Sequence, residues 1–220
     1  MTSEINISNN ESKLLTATLE GDVALTRQLL HQGINPNCKD PSGRGPLLCF
    51  FPQIISLLLD HGALPNEQFN ENGHTVLAGL CYANSIFESR GTDQAAVIKL
   101  LLEHGADVER GYSSTRETPL HHATAPMGKD NISVIKILLE NKANPNAVTI
   151  PSIPSHNFYQ GAKTKGESPL HRAAAFCSEA TIDLLLDYGG DTSQVDANGE
   201  TPLSWACWHQ RPKSLIEKLR

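Results

Sequence analysis

Histidines and cysteines are the residues of this chain best suited to metal binding or catalysis. The chain has nine histidines and five cysteines. His121 and His122 are adjacent, and adjacent side chains on a helix point about 100° apart, so this pair is a poor set of joint ligands. No cluster has the spacing of a zinc site, and neither a glycine-rich phosphate loop nor a nucleophile elbow occurs. The sequence therefore predicts no catalytic residue, no metal site and no cofactor.

Composition and charge exclude several classes of protein. With 39% hydrophobic and 19% charged residues in 220, the chain fits a folded protein with room for a large core. The net charge is −6, and no basic stripe indicates nucleic-acid binding. The apolar runs are too short to span a membrane, and the first residues do not read as a secretory signal. Cysteines without paired spacing favour a reducing compartment, so we expect a cytoplasmic protein.

A short motif recurs along the chain and organises it. It reads Thr-Pro-Leu-His-His-Ala at 118–123, Ser-Pro-Leu-His-Arg-Ala at 168–173 and Thr-Pro-Leu-Ser-Trp-Ala at 201–206, with weaker copies at 45–48 and 75–78. A leucine-rich stretch that ends in a turn follows each copy and also lies near the start of the chain, as at 29–33, 57–62, 100–105, 138–142 and 184–189. Thr or Ser before Pro is typical of a helix start, and the glycine that closes most of the stretches is typical of a helix end.

These units resemble the ankyrin repeat, a module of about 33 residues with a β-turn and two antiparallel helices. Ser168 and Thr201 are one such period apart. The resemblance implies an all-α repeat solenoid of about six units, beginning near residues 12, 45, 75, 118, 168 and 201. We therefore expect residues 1–11 to be an N-terminal tail and 12–220 to be one domain whose first and last units act as caps.

Departures from the repeat length give the chain its individual features. The second unit is four residues short between its helices, and Phe-Phe-Pro at 50–52 stands where a helix should end, which predicts a shortened or distorted first helix. The third unit has nine extra residues within 82–93, and the fourth has three within 125–131. We expect both insertions to lengthen the turn between helices and, being neighbours, to bulge from the same edge.

The largest insertion, of about 14 residues, lies within 148–166. The resemblance places it at the protruding hairpin before the fifth unit, so it implies an extended finger loop. Long loops in compact domains are either functional or without fixed structure. The aromatic pair Phe158 and Tyr159, with Lys163 and Lys165, favours a loop that contacts a partner. The alternative, a tolerated insertion without a role, stays open.

The repeat register also explains most histidines. His121 and His171 occupy the same motif position, and His61 and His104 each precede a turn glycine. The resemblance implies that the motif histidine forms hydrogen bonds within and between units. A structural role therefore accounts for these residues better than a metal site does.

Both tryptophans of the chain lie three residues apart in the first helix of the last unit. His122 and Arg172 occupy the register position of Trp205 in earlier units, and the resemblance places variable residues of first helices on the concave surface. We therefore predict an aromatic and basic strip of His122, Arg172, Phe176, Trp205 and Trp208, residue types that dominate binding hot spots. Alternatively, the tryptophans cap the exposed end of the stack.

The sequence favours a non-catalytic module that binds a protein partner through this strip and the loop at 150–165. We expect a monomer that binds neither nucleic acid nor membrane. A second hypothesis makes the chain the targeting part of a larger polypeptide or enzyme complex, and a third, an enzyme built on the repeats, depends on the histidines alone.

Overall fold

The computed structural model describes residues 8–69, 73–125, 130–155 and 163–220. Within these residues the chain forms twelve helices, which stack as pairs in the first, fourth, fifth and sixth units. They are α1 (Asn9–Glu20), α2 (Val23–His31), α3 (Pro52–Asp60), α4 (Val76–Tyr82), α5 (Asn84–Arg90), α6 (Gln94–Glu103), α7 (Pro119–Ala123), α8 (Ile132–Glu140), α9 (Pro169–Phe176), α10 (Glu179–Asp187), α11 (Pro202–Trp208) and α12 (Lys213–Lys218). The predicted all-α solenoid of about six repeats is confirmed.

The recurring motif begins the first helix of a unit. The hydroxyls of Thr75, Thr118 and Thr201 each accept a hydrogen bond from the backbone N–H three residues later, and so cap the helix. A proline occupies the first helical position at 119 and 202, where its missing N–H costs nothing. These local signals fix where each unit starts.

The first unit begins earlier than the predicted domain boundary. Ser8 caps α1, and the carboxylate of Glu11 accepts a hydrogen bond from the Ser8 backbone N–H at 2.9 Å. Residues 9–11 therefore belong to the first unit rather than to an N-terminal tail, because this reciprocal cap starts the helix at Asn9.

The second unit has lost its first helix. Residues 41–51 form turns and bends, and α3 is the only helix between residues 45 and 75 that the described part of the chain contains. The predicted distortion is confirmed. The ring of Phe51 lies where a Cβ on Gly21 would approach it to 2.7 Å, so the left-handed glycine that ends α1 also leaves room for this ring.

The insertions of the third and fourth units meet at one edge of the stack. The third forms α5, whose end turns back to the first unit, where Arg90 Nη1 donates to the carbonyl of Leu19 at 3.2 Å. In the fourth, the Asn131 amide donates to Gln94 Oε1 at 2.9 Å, close to α5. Residues 126–129 lie outside the described part. The expectation of a shared edge is confirmed for the residues on either side of that gap.

Asparagines couple consecutive units at the outer turns. The side-chain amide nitrogens of Asn37, Asn66 and Asn146 each donate to a backbone carbonyl of the next unit, at 2.7–3.0 Å. The accepting residue lies two positions after the end of that unit's second helix. In each case the amide oxygen accepts a backbone N–H two residues further on, at 2.7–2.8 Å. Because neighbouring units share these bonds, the stack is stabilised mainly by nearest-neighbour contacts.

Finger loops project between units, and where the two sides of a loop pair, they form only an isolated β-bridge in the described residues. Isolated antiparallel bridges join Gln68 to Thr75, Tyr112 to Glu117 and Pro154 to Lys163. The last of these lies in the predicted long finger, whose tip, including Phe158 and Tyr159, falls outside the described residues. Within the described residues no helix is both long and apolar enough to cross a membrane.

Candidate functional site

The motif histidines link neighbouring units. In His121, Nδ1 accepts the backbone N–H of Thr118 at 3.1 Å, so Nε2 carries the proton and donates to the carbonyl of Glu167 at 3.1 Å. His171 repeats this pattern with the N–H of Ser168 at 3.2 Å and the carbonyl of Glu200 at 3.0 Å. The predicted structural role of these histidines is confirmed. Among the described residues no group of three or more His, Cys, Asp or Glu side chains is arranged to hold a metal ion.

Three of the five members of the predicted surface strip are buried, namely His122, Arg172 and Trp205, and of these only Trp205 borders a groove. His122 is 1% exposed and Arg172 is fully buried. Their shared register position points from the first helix toward the base of the finger loops, where neighbouring side chains cover it. These two residues therefore lie inside the stack and not on its concave surface.

Arg172 lies between two buried carboxylates from the finger bases. Its Nη2 is 2.7 Å from Glu117 Oε1, and its Nε donates to Glu167 Oε1 at 3.0 Å. Thr149 Oγ1 also donates to Glu167, at 2.8 Å. Burial opposes ionisation of Glu167, but the guanidinium and the hydrogen bonds outweigh it and hold its pKa at about 2. The three charged groups tie the fourth and fifth units together.

His122 fills the equivalent position in the fourth unit. Its ring packs against Tyr112 with centroids 4.2 Å apart, and Tyr112 stacks on His74 at 3.4 Å. Neither ring nitrogen of His122 has a hydrogen-bond partner in the described part of the chain. Burial lowers the pKa of His122 to about 3, so the ring is neutral at pH 7 and contributes packing rather than charge.

The two tryptophans have different surroundings. Trp205 is 4% exposed, and its Nε1 donates to Asp196 Oδ2 at 3.2 Å. Trp208 is 56% exposed, the largest exposed fraction of any aromatic side chain in the described residues. The ring of Phe176, which is partly buried, lies edge-on to His209 with centroids 4.8 Å apart. Trp205 therefore forms a fixed wall, while Trp208 presents its ring to solvent.

These side chains line a groove of about 440 Å³ between the base of the long finger and the first helices of the last two units. We call it the tryptophan groove, and its aromatic and basic lining consists of Lys163, Lys165, Phe176, Trp205, Trp208 and His209. The ammonium of Lys165 lies 5.2 Å from the ring centre of Trp205 and 5.7 Å from that of Trp208. The structure thus brings together three of the five strip residues and both lysines of the finger.

The charged side chains in the described lining of the groove are positive, although the chain carries a net charge of −6. Its described lining contains two lysines and no carboxylate. Burial lowers the pKa of His209, and the positive charges of Lys165 and Arg211 lower it further. The sequence analysis did not single out His209, and its position directly after Trp208 is the signal that points to it.

A second groove, of about 270 Å³, lies among the second and third units. Its lining includes Phe50, Phe69, Tyr82, Ile86 and Tyr112, and no Asp, Glu, Lys or Arg among the described residues. This groove offers apolar contact without charge, so it carries less information about a ligand than the tryptophan groove does.

Comparisons with known proteins agree with this architecture. A family model for three copies of the ankyrin repeat matches residues 153–219, and a single-repeat model matches 115–150. The B-cell lymphoma 3 protein homolog of Mus musculus is 26% identical over 226 residues, which cover 99% of this chain and 44% of that protein. The ANK repeat-containing protein nipk-1 of Caenorhabditis elegans is 24% identical over 145 residues, 61% of this chain and 24% of that protein.

The chain thus spans less than half of the length of these two relatives. Among solved structures, a chain in the complex of the Bd0816 predatory endopeptidase from Bdellovibrio bacteriovorus with the immunity protein Bd3460 has a TM-score of 0.68 at 23% identity. The match covers 94% of this chain and 97% of that chain. Motif, capping pattern, stacked helix pairs and family models lead to one conclusion: the chain belongs to the ankyrin repeat family.

Proposed function

We propose that this chain is a non-catalytic protein-recognition module that binds its partner through the tryptophan groove. The observation that carries the proposal is Trp208, a large aromatic side chain that is more than half exposed and lies in the same groove as the partly buried Phe176. Tryptophan is among the residues most enriched at the energetic centres of protein interfaces. Ankyrin repeats generally mediate contacts between proteins, and the similar solved structure is a complex of two proteins, which supports the class of function but not a partner.

Rigidity of the groove supports this proposal. Asp196 anchors the indole of Trp205, and the Lys165 ammonium lies over both tryptophan rings. Side chains that are already held in place lose little conformational entropy when a partner binds. Arg172 supports the finger base through Glu167, which also accepts the backbone N–H of Lys165. His122 packs against Tyr112, which lines the second groove. Phe158 and Tyr159 remain proposed contacts from the finger. The proposed setting is the reducing cytoplasm, with the chain acting as a monomer.

Affinity capture tests the proposal with the protein as it exists. Extracts of the source cells are passed over immobilised wild type and Trp208→Ala, and the retained proteins are identified by mass spectrometry. We expect at least one protein to be retained by wild type and lost from the variant. Tyr188→Ala is the matched control, because Tyr188 is another exposed aromatic residue and lies outside the groove lining.

The outcome shows whether the partner binds at the groove or at another part of the chain. A partner retained equally by wild type and Trp208→Ala would contradict a role for the groove and move the search to the finger residues Phe158 and Tyr159. Trp205 is not used in this test, because its indole is buried and hydrogen-bonded and its loss would disturb the fold.

A second candidate function follows from the length of the relatives. Because the chain spans less than half of the proteins that it matches, it can serve as the recruiting part of a larger polypeptide or enzyme complex. An antibody raised against this chain tests that alternative by Western blot of source cells. A band near 23.9 kDa, the mass of this chain, would contradict the larger polypeptide, and a much larger band would support it.

A further inference from the structure

We infer that the tryptophan groove binds an acidic peptide segment of a partner protein, with the partner's carboxylates at Lys163 and Lys165 and an apolar side chain against Trp208. This inference rests on the proposed function and adds the chemistry of the ligand. Three features support it: the lysines form no ion pair with a described carboxylate, hydrogen bonds of the finger base fix their backbone, and an apolar surface lies beside them.

Both groove lysines lack a carboxylate partner among the described residues, a property that they share with Lys13 and Lys142. Lys163 and Lys165 are exposed and form no ion pair with any described residue. Elsewhere in the described residues, five lysines pair with carboxylates at 2.7–3.8 Å, namely Lys39, Lys99, Lys136, Lys213 and Lys218. On an acidic protein, two adjacent uncompensated ammonium groups at the rim of a groove are complementary to a ligand with negative charge.

The finger base holds these lysines in position. The backbone N–H of Lys165 donates to Glu167 Oε2 at 2.6 Å, and its carbonyl accepts the N–H of Ala197 at 2.7 Å. Thr164 between the two lysines is buried, whereas both lysines are exposed, so both side chains leave the same side of the finger. Residues two apart on an extended strand are roughly 7 Å apart, which matches carboxylates at alternate positions of an extended peptide.

The groove also requires an apolar ligand group. Trp208 borders the two lysines in the same groove and is 56% exposed, and a small ion would leave its ring uncovered. A peptide with an aromatic or aliphatic side chain next to its acidic residues covers both kinds of surface. A nucleic-acid strand is less well matched, because a phosphate backbone needs a longer track of positive charge than two lysines supply.

Peptide display tests this inference. A library of random peptides is selected on the immobilised chain and counter-selected on Trp208→Ala. We expect the surviving peptides to be enriched in Asp and Glu at alternate positions, with an aromatic or aliphatic residue between them or beside them. A chain with Lys163→Glu and Lys165→Glu should reverse the selection toward Lys and Arg, while Lys13→Glu, at an exposed lysine of α1, should leave it unchanged.

Intrinsic fluorescence then measures binding directly, because both tryptophans of the chain line the groove. The probe is the alternating peptide acetyl-Glu-Leu-Glu-Leu-Glu-amide, compared with the same peptide carrying Gln in place of Glu. We expect the Glu peptide to change the emission, and its affinity to fall by about tenfold or more in the double Glu variant and with added salt.

Each outcome bears on one of the two proposals. Trp208-dependent peptides without acidic enrichment, equal binding of the Gln peptide, or stronger binding of a single-stranded oligonucleotide would each overturn the acidic-peptide inference. The first two would leave the groove as a protein-binding site. A library that yields no Trp208-dependent peptide would contradict both the inference and the proposed function.

Discussion

The ring of Phe87 packs edge-on against the ring of Phe50, with centroids 5.2 Å apart and planes at 80°. Phe50 belongs to the unit that lacks its first helix, and Phe87 belongs to α5, the helix inserted into the next unit. Arg90, three residues after Phe87, lies over Phe50 at 5.2 Å and over Phe51 at 5.7 Å. The insertion of the third unit therefore covers the surface that the missing helix of the second unit leaves open.

Phe87→Ala should destabilise the folded chain by about 3–5 kcal/mol, because Phe87 is 1% exposed and its loss leaves a cavity against Phe50. Ile86→Ala, in the same helix at a side chain that is 41% exposed, should cost less than about 1 kcal/mol. Urea denaturation followed by far-UV circular dichroism measures both. Equal losses in the two variants would contradict the idea that α5 replaces the missing helix.

Arg172→Met should cost about 3–5 kcal/mol of folding free energy, because it leaves Glu117 and Glu167 buried near each other without their cation. The buried carboxylates would then repel each other or take up protons. The free energy of unfolding in urea at pH 7 is the measurement. A loss below about 1 kcal/mol would show that the ion pairs do not hold the fourth and fifth units together.

A triple variant separates the charge from the shape. Combining Glu117→Gln, Arg172→Met and Glu167→Gln removes all three charges while the side chains keep similar volumes. We expect it to recover at least half of the stability that Arg172→Met alone loses, since a buried charged cluster is often replaceable by neutral groups. A triple variant as unstable as the single one would indicate that packing of Arg172, and not its charge, is what matters.

The repeat register predicts which residues occupy equivalent positions in different units, but it does not predict which side chains bury a residue at such a position. It predicted the helices that begin after residues 75, 118, 168 and 201, a distortion of the first helix in the second unit, and the roles of His121 and His171. These features depend on local capping and on contacts that recur between repeats. It placed Arg172 on the surface because the glutamates that bury it lie in finger loops, and Glu117 is 55 positions away along the chain. The contact between α5 and Phe50 could not be predicted from the repeat register for the same reason, because it joins non-equivalent parts of two units.

His122→Leu should make the protein less sensitive to acid. Burial lowers the pKa of His122 to about 3 in the folded chain, below the value near 6.5 of an unfolded histidine. The unfolded state therefore takes up the proton first, so the folding free energy falls as the pH falls from about 6.5 toward 3, by up to about 1.4 kcal/mol per pH unit. Leucine binds no proton and loses no hydrogen bond here, because both ring nitrogens lack partners among the described residues.

Urea denaturation at pH 7 and pH 5 measures this effect. We expect the stability lost between these two pH values to be about 2 kcal/mol smaller in His122→Leu than in the wild type. The window lies above the range in which Glu117 titrates, because its pKa in the folded chain is about 2 and that of an unfolded glutamate is near 4.3. Parallel pH profiles for the two proteins would contradict the assignment of His122 as a buried neutral ring.

Glu109 occupies the position that asparagine holds at the outer turns of the first, second and fourth units. Its carboxylate accepts the backbone N–H of Asn144 at 2.7 Å, but it has no N–H to donate to the carbonyl of Lys142, as Asn66 donates to Gly105. Burial also raises the pKa of Glu109, which means that its charged form opposes folding at neutral pH. The joint between the third and fourth units therefore lacks the asparagine bond that couples the first unit to the second, the second to the third and the fourth to the fifth.

Glu109→Asn should stabilise the chain by about 0.5–1.5 kcal/mol, because the amide can make both bonds of the pattern and carries no charge. Asn66→Glu, at the equivalent joint one unit earlier, should lose a similar amount, so the two substitutions form a reciprocal pair. Thermal and urea denaturation of both variants at pH 7 measure the changes. A gain at Glu109 without a loss at Asn66 would contradict the expectation that asparagine is favoured over glutamate at both joints, whereas opposite changes of similar size would confirm it.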